Sequence, residues 1–206
     1  MVIARPSHPV AAAVLGGALL WPLSQDLPDT LASCRPVRIE AAEPALDAAE
    51  LRLARYLARR YYVDRDQTER VVRAAYQAAA QVGLDPLLVL AVAGVESSFN
   101  PLAESVAGAR GLMQIIPRYH REKLGLADAD ELLFDPEANI LLGARILQEY
   151  IYRTGTLEAG LQFYNGAFFD ASAQYARKVM AERLRLEAVL RGAGGVREAT
   201  LSAAAS

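Results

Sequence analysis

Glu96-Ser97-Ser98-Phe99-Asn100-Pro101-Leu102-Ala103-Glu104-Ser105-Val106-Ala107-Gly108-Ala109-Arg110-Gly111-Leu112-Met113-Gln114 follows directly on an apolar run, residues 87–95. Asp85-Pro86 stands before that run, an N-cap carboxylate with proline at the first helical position, and predicts a helix ending near Ser97. A helix apolar on all sides is buried on all sides. Asn100-Pro101, Gly108 and Gly111 stop it from continuing, so a structured loop folds back over Glu96. Burial among Leu, Val and Ala disfavours the ionised carboxylate, and the C-terminal end of a helix adds negative potential. Both raise the pKa of Glu96. A carboxylic acid kept protonated near neutral pH is what a glycosidase needs to protonate a leaving oxygen. The competing structural role is a hydrogen bond from Glu96 to the backbone of the loop.

Outward from this stretch the chain reads as helices. From residue 45 Leu53, Tyr56 and Leu57 stack on one face, with Arg52, Arg55 and Arg59 on another that reads as solvated. A second helix covers 67–82 and stops at Gly83. Asp135-Pro136 repeats the cap signal ahead of Ile140, Ala144, Leu147 and Ile151, the inner face of a long helix ending near Gly155. Thr156 caps a short helix leading to Phe163-Tyr164-Asn165-Gly166, and a last helix spans 173–190. No useful strand alternation is present, so the expected fold class is all-α.

The ends carry different signals. Residues 1–9 hold one Arg and no acid, and 10–23 are apolar apart from Pro22, the pattern of a signal peptide or membrane anchor over 1–23. The apolar length is short of the roughly 20 residues a span needs. Pro28, Pro36 and Pro44 mark a linker over 24–44. Leu31-Ala32-Ser33-Cys34 resembles the lipobox of bacterial lipoproteins, although Gln25, Asp26 and Asp29 separate Cys34 from the apolar run; a lone linker cysteine is the competing reading. The remaining units are N-terminal helices over 45–83, a catalytic domain over 84–191 and a Gly/Ala/Ser tail over 192–206.

The composition is globular, with 53% hydrophobic and 22% charged residues. A net charge of −2 leaves no electrostatic footprint for nucleic acid. Two histidines and one cysteine show no metal-ligand spacing, and one cysteine forms no internal disulfide. Neither metal nor cofactor is expected.

The stretch from Glu96 to Gln114 closely resembles the signature of the soluble lytic transglycosylases, a domain related to goose-type lysozyme. That signature reads E-S-x-F-N/D-P-x-A-x-S-x-x-G-A-x-G-L-M-Q, and every fixed position is matched. The resemblance runs over about 84–179 and includes Phe134-Asp135-Pro136, Asn139-Ile140, Gly143, Tyr164-Asn165, Tyr175 and Val179. It implies a lysozyme-like helical domain with a helical N-terminal extension. It also implies that Glu96 is the sole catalytic acid/base for the β-1,4 bond between N-acetylmuramic acid and N-acetylglucosamine in peptidoglycan. Tyr164 is implied to orient the acid and stabilise charge at the anomeric carbon. Ser105, Gln114 and Asn165 are implied to meet the sugar, and Tyr175 to line the groove. Peptidoglycan strands are the implied partner, in the periplasm or cell envelope of a bacterium; small members of the family also serve envelope machinery.

The sequence departs from that pattern where Tyr164-Asn165-Gly166-Ala167 replaces Y-N-A-G, Ile116 replaces a common methionine, and Tyr119-His120 replaces Thr-Ala. Ile116 still suits an apolar cleft wall. A Ser105–His120 nucleophile is discarded, because no G-x-S-x-G elbow exists and His120 reads as part of a surface turn. Phe99 and Met113 read as packing residues that hold the loop down. Two other functions remain in play. A hydrolytic muramidase on the same fold calls on a second carboxylate, for which Glu104, Asp128, Asp130, Glu131 and Asp135 are available. A non-catalytic glycan-binding module of an envelope assembly would most simply have lost the acid.

Overall fold

The computed structural model describes residues 45–125 and 129–192. The expected export segment, linker, Cys34, Asp128 and the tail beyond Gly192 lie outside them, as does the side chain of Asp130.

Side-chain caps set the helix starts. Asp47 accepts from the N–H groups of Ala49 and Glu50 and completes a capping box with Glu50, opening α1 (Ala48–Tyr61). Asp64 opens α2 (Arg65–Val82), and Asp85 with Pro86 opens α3 (Pro86–Ser97). After a 3₁₀ turn over Pro117–Tyr119 come two short helices, α4 (Arg121–Leu124) and α5 (Ala129–Phe134). Asp135 caps α6 (Pro136–Thr154), Thr156 caps α7 (Leu157–Tyr164), and α8 (Gln174–Leu190) closes the described chain. Among the described residues there is no strand, only isolated antiparallel bridges from Arg110 to Glu104 and to Ile115 inside the loop. The all-α expectation holds.

Residues 87–94 of α3 are buried without interruption, as a helix apolar all round requires. α3 lies against α2 on one side and α8 on another. Two polar ties fix α3 and α8 as antiparallel partners: Arg183 pairs with the cap carboxylate of Asp85 at one end, and Tyr175 with Glu96 at the other. α1 also runs along α8. Arg52 donates to the carbonyl of Leu190, while Tyr61 and Arg60 reach Glu182 at 2.9 and 3.4 Å. Glu182 is only 4% exposed, and such a carboxylate is tolerable because Tyr61, Arg60 and Arg185 surround it. α2 packs on α6, and α6 on α7. No helix among the described residues is long and apolar enough to cross a membrane.

Candidate active site

The loop that follows α3 turns back at once. Ser98 and Phe99 both sit in the left-handed region, at φ 52° and 62°, where non-glycine residues carry strain. Phe99 repays that cost by burial: its ring stands 5.0 Å from Tyr61, and a side chain at Gly94 would come 3.2 Å from it. Asn100 accepts from the N–H of Leu102, and Ser97 donates to the carbonyl of Ala93. Glu96 is thus left half-buried at the end of α3 with its carboxylate free of the loop backbone.

The far half of the loop is pinned at Met113. Asn139 of α6, 1% exposed, accepts from the N–H of Met113 at 2.8 Å and donates to the carbonyls of Leu133 and Arg110 at 2.8 and 3.1 Å. Tyr164 donates to the carbonyl of Met113 at 2.8 Å. The Met113 side chain lies on Gly143, where an added Cβ would stand 2.4 Å from Sδ and 2.7 Å from Cβ. Gly111 is equally constrained, at φ 73° with the carbonyl of Leu133 2.1 Å from where a Cβ would be.

Asn165 lines two cavities. The smaller, 270 Å³, is polar and holds Glu96, Tyr175, Gln174, Lys178 and Asp170. The larger, 530 Å³, is walled by Tyr164, Tyr150, Phe163, Ile116 and Ile146, with Gln114 at its edge. In the smaller cavity Tyr175 donates to Glu96 at 2.6 Å. Burial raises the pKa of Glu96, and the Tyr175 bond, by favouring the ionised form, opposes part of that rise. The Tyr175 hydroxyl is itself pushed far up by burial and by the neighbouring Glu96, so it remains a donor. Tyr164 is raised well above the ordinary tyrosine range by burial, then by Glu96 and Tyr150.

The expected residues therefore occupy distinct places. Glu96 and Tyr175 line the smaller cavity, Tyr164 and Gln114 the larger, and Asn165 both. The hydroxyl that holds the acid belongs to Tyr175, and that of Tyr164 is committed to Met113. Gln114 lines the cavity while its amide N–H group donates to the carbonyls of Ala103 and Gly111. Ser105 lines neither cavity; its hydroxyl accepts from the N–H of Ala109 and shapes the loop. His120, read from sequence as part of a surface turn, is instead 8% exposed and part of the larger cavity wall, because α4 and the 3₁₀ turn fold over Tyr150. Burial lowers its pKa, which keeps the ring neutral. Phe99 and Met113 are fully packed, as read.

Sequence reasoning missed Asn139 as the anchor of the loop, and it missed Asp170. Asp170 accepts from the N–H groups of Ser172 and Gln174, from the Ser172 hydroxyl and from Gln162. These bonds, the Ser172 hydroxyl foremost, hold its pKa below the ordinary range. Of the second carboxylates considered, Glu104 pairs with Arg110, Asp135 caps α6 and Glu131 is exposed. Among the described residues, no group of three His, Cys, Asp or Glu side chains gathers as a metal ion would require.

The family model for the transglycosylase SLT domain matches residues 73–183. The chain belongs to that family. It is 40% identical over 108 residues to a transglycosylase of Enterobacteria phage PRD1, an alignment covering 50% of this chain and 39% of the relative. It is 32% identical over 135 residues to membrane-bound lytic murein transglycosylase C of Mannheimia succiniciproducens, covering 56% and 38%. To the soluble lytic murein transglycosylase of Escherichia coli K12 it is 39% identical over 93 residues, covering 42% and 13%. The chain thus spans between 13% and 39% of the length of these relatives. An inactive variant of the lytic transglycosylase Slt from Pseudomonas aeruginosa shares the fold, with a TM-score of 0.50 at 24% identity over 58% of this chain and 24% of that one.

Proposed function

We propose that this chain is a peptidoglycan lytic transglycosylase with Glu96 as its single acid/base. The observation that carries the reading is the environment of Glu96: a half-buried carboxyl of raised pKa, aimed into a cavity and held by one neutral donor, Tyr175. Such a group donates a proton to the glycosidic oxygen between N-acetylmuramic acid and N-acetylglucosamine as the C1–O bond breaks. The resulting carboxylate takes the proton of the muramyl C6 hydroxyl, whose oxygen bonds to C1. The product is a 1,6-anhydro ring, and no water is consumed. Tyr175 positions the acid through both steps. Tyr164 holds the carbonyl of Met113 beside the cavity and places its ring near Glu96. Asn165 offers its amide to the sugar, and Gln114 its amide oxygen. The relatives named for murein support this substrate, and with it a place in the bacterial envelope. An anchor at the N-terminus and a partner in envelope machinery belong to the same proposal.

Hydrolysis is the second reading, favoured by one observation: Asp170 shares the cavity with Glu96. Its oxygens, however, are bound to donors at the start of α8, which suits a cap better than a base that must turn toward water.

The test is digestion of intact peptidoglycan by the full chain and by Glu96→Gln, with the released muropeptides weighed by mass spectrometry. Anhydro-muramyl products that vanish in the variant are expected. Reducing-end products one water heavier would replace the lyase by a muramidase. No release from the wild-type chain would refute both.

A further inference from the structure

The solvent face of α1 lacks the mixed charge that a merely solvated helix carries. Between Ala48 and Tyr61 stand Arg52, Arg55, Arg59 and Arg60 against one acid, Glu50, which is turned back to the N–H of Asp47. The chain as a whole has a net charge of −2, so this excess is local. The neighbouring arginines are committed: Arg52 donates to the carbonyl of Leu190, Arg60 pairs with Glu182, and Arg65 pairs with Glu69 at 2.9 Å. Arg55 and Arg59, one turn apart and both exposed, have no acidic partner among the described residues. With Arg65 they edge a depression of 340 Å³ whose remaining lining is Ala58 and Val63.

Next to Val63, Tyr62 holds φ 55°, the left-handed conformation that ends α1. Glycine takes that conformation without strain, and Gly83 and Gly155 do so at the ends of α2 and α6. Phe99 offsets a similar strain by burial, whereas Tyr62 is 95% exposed and recovers nothing that way. A strained, exposed aromatic ring beside unpaired guanidinium groups points to a surface that the fold itself does not use. Guanidinium groups around an apolar depression, flanked by such a ring, match the headgroup region of a bilayer. Phosphates meet the charges, glycerol and the first methylenes meet Ala58 and Val63, and a tyrosine suits the boundary between polar and apolar layers. A small soluble anion would leave the ring and the apolar lining unused. We propose that α1 docks the folded domain on an anionic phospholipid surface through Arg55, Arg59, Arg65 and Tyr62. This contact is distinct from an anchor at the N-terminus. None of the four residues lines either cavity of the candidate active site.

The test reads binding rather than cleavage, so it stands apart from the proposed reaction. The full chain is cosedimented with vesicles of phosphatidylcholine alone and with vesicles of phosphatidylcholine and phosphatidylglycerol in equal parts. Stronger binding to the anionic vesicles, weakened by salt, is expected. Arg55→Gln and Arg59→Gln should each lower that excess about fivefold, the worth of one arginine at an anionic surface, and the double variant about 25-fold. Arg55→Lys with Arg59→Lys should keep most of it, since a membrane reads charge rather than a bidentate fork. Tyr62→Gly should lower the excess while leaving Tm no lower, because glycine suits the left-handed cap. Residues preceding α1 are the same in every variant, so any binding they add is common to all. Turnover of isolated peptidoglycan should be equal in wild type and variants. No preference for anionic vesicles, a preference unmoved by the double arginine-to-glutamine change or by Tyr62→Gly, or binding to soluble polyphosphate with none to vesicles would each overturn the docking surface.

Discussion

Gly143→Ala isolates the packing that positions the loop. The substitution sits in the middle of α6, where alanine is intrinsically better than glycine by about 0.8–1 kcal/mol. Against that gain stands Met113, with Sδ 2.4 Å and Cβ 2.7 Å from the new methyl. The sulfur can swing away, but Cβ moves only with the backbone. That backbone is held through its N–H by Asn139 and through its carbonyl by Tyr164, each at 2.8 Å. Overpacking costs about 1–3 kcal/mol, and a Cβ that moves only with the backbone puts this contact in the upper part of that range, about 2–3 kcal/mol, so the net destabilisation is about 1–2 kcal/mol. For a chain of this size that lowers Tm by about 2–8 °C. Activity should fall further than stability, about tenfold in kcat, because a displaced Met113 carbonyl carries the Tyr164 hydroxyl with it and sub-ångström misplacement is costly in catalysis. Thermal denaturation followed by circular dichroism, beside turnover of peptidoglycan, reads both. A Tm that rises by the helix-propensity gain, with kcat unchanged, would refute the claim that Met113 is fixed from three sides.

Three further outcomes follow from the same contacts. Tyr175→Phe removes the bond that favours ionised Glu96, so the acid keeps its proton to higher pH; kcat should fall while the alkaline limb of the pH–rate profile moves upward, and a downward move would contradict the assignment. Glu96→Gln should be more stable than wild type by a margin that depends on pH. The folded pKa of Glu96 lies above its unfolded value, so the native state loses stability as pH rises through that window. The variant has no such loss, and its advantage should be least below about pH 4 and grow above it; a constant margin in urea titrations across pH would exclude the linkage. Asn139→Leu strands the Met113 N–H and the Leu133 carbonyl in a buried place, while the Arg110 carbonyl keeps the N–H of Ile115, for a loss of about 2 kcal/mol or more in chemical denaturation; a loss below about 1 kcal/mol would show that the loop does not depend on it.

The helix starts were legible because capping is local chemistry: Asp85, Asp135 and Thr156 each act on N–H groups two or three residues away. The position of Glu96 was legible for the same reason, since a buried helix and its end lie in one short stretch. What could not be read is which distant hydroxyl reaches the acid. Tyr175 is 79 residues away in sequence, and its arrival depends on the antiparallel register of α3 and α8, set in part by Arg183 and Asp85. Asn139 gave only a faint signal, a polar residue among Ile140, Leu142 and Ala144 on the inner side of a helix. Its meaning appears only beside Gly111, whose missing side chain leaves room for it. Asp170 escaped because it stands four residues before α8, whose formal cap is Ala173 at φ 49°.

A single acid/base in the proposed reaction must give a proton and then receive one from a different oxygen, so its carboxyl has to stay in one place through both steps. The fold meets that demand from two independent directions. Glu96 and Tyr175 lie on helices whose register is held at the opposite end by Arg183 and Asp85. Neither helix can slide without breaking an ion pair as well as the short bond to the acid. Tyr164 enters from α7 and is fixed by the loop rather than by the acid, so its orientation does not change when Glu96 loses its proton. The neighbouring carboxylate, Asp170, is bound to the N–H groups at the start of α8 and would disrupt the placement of Tyr175 if it turned to activate water. The helix start that brings Tyr175 to the acid is therefore also the one that occupies the second carboxylate, which favours an internal hydroxyl over water as the group that completes the reaction.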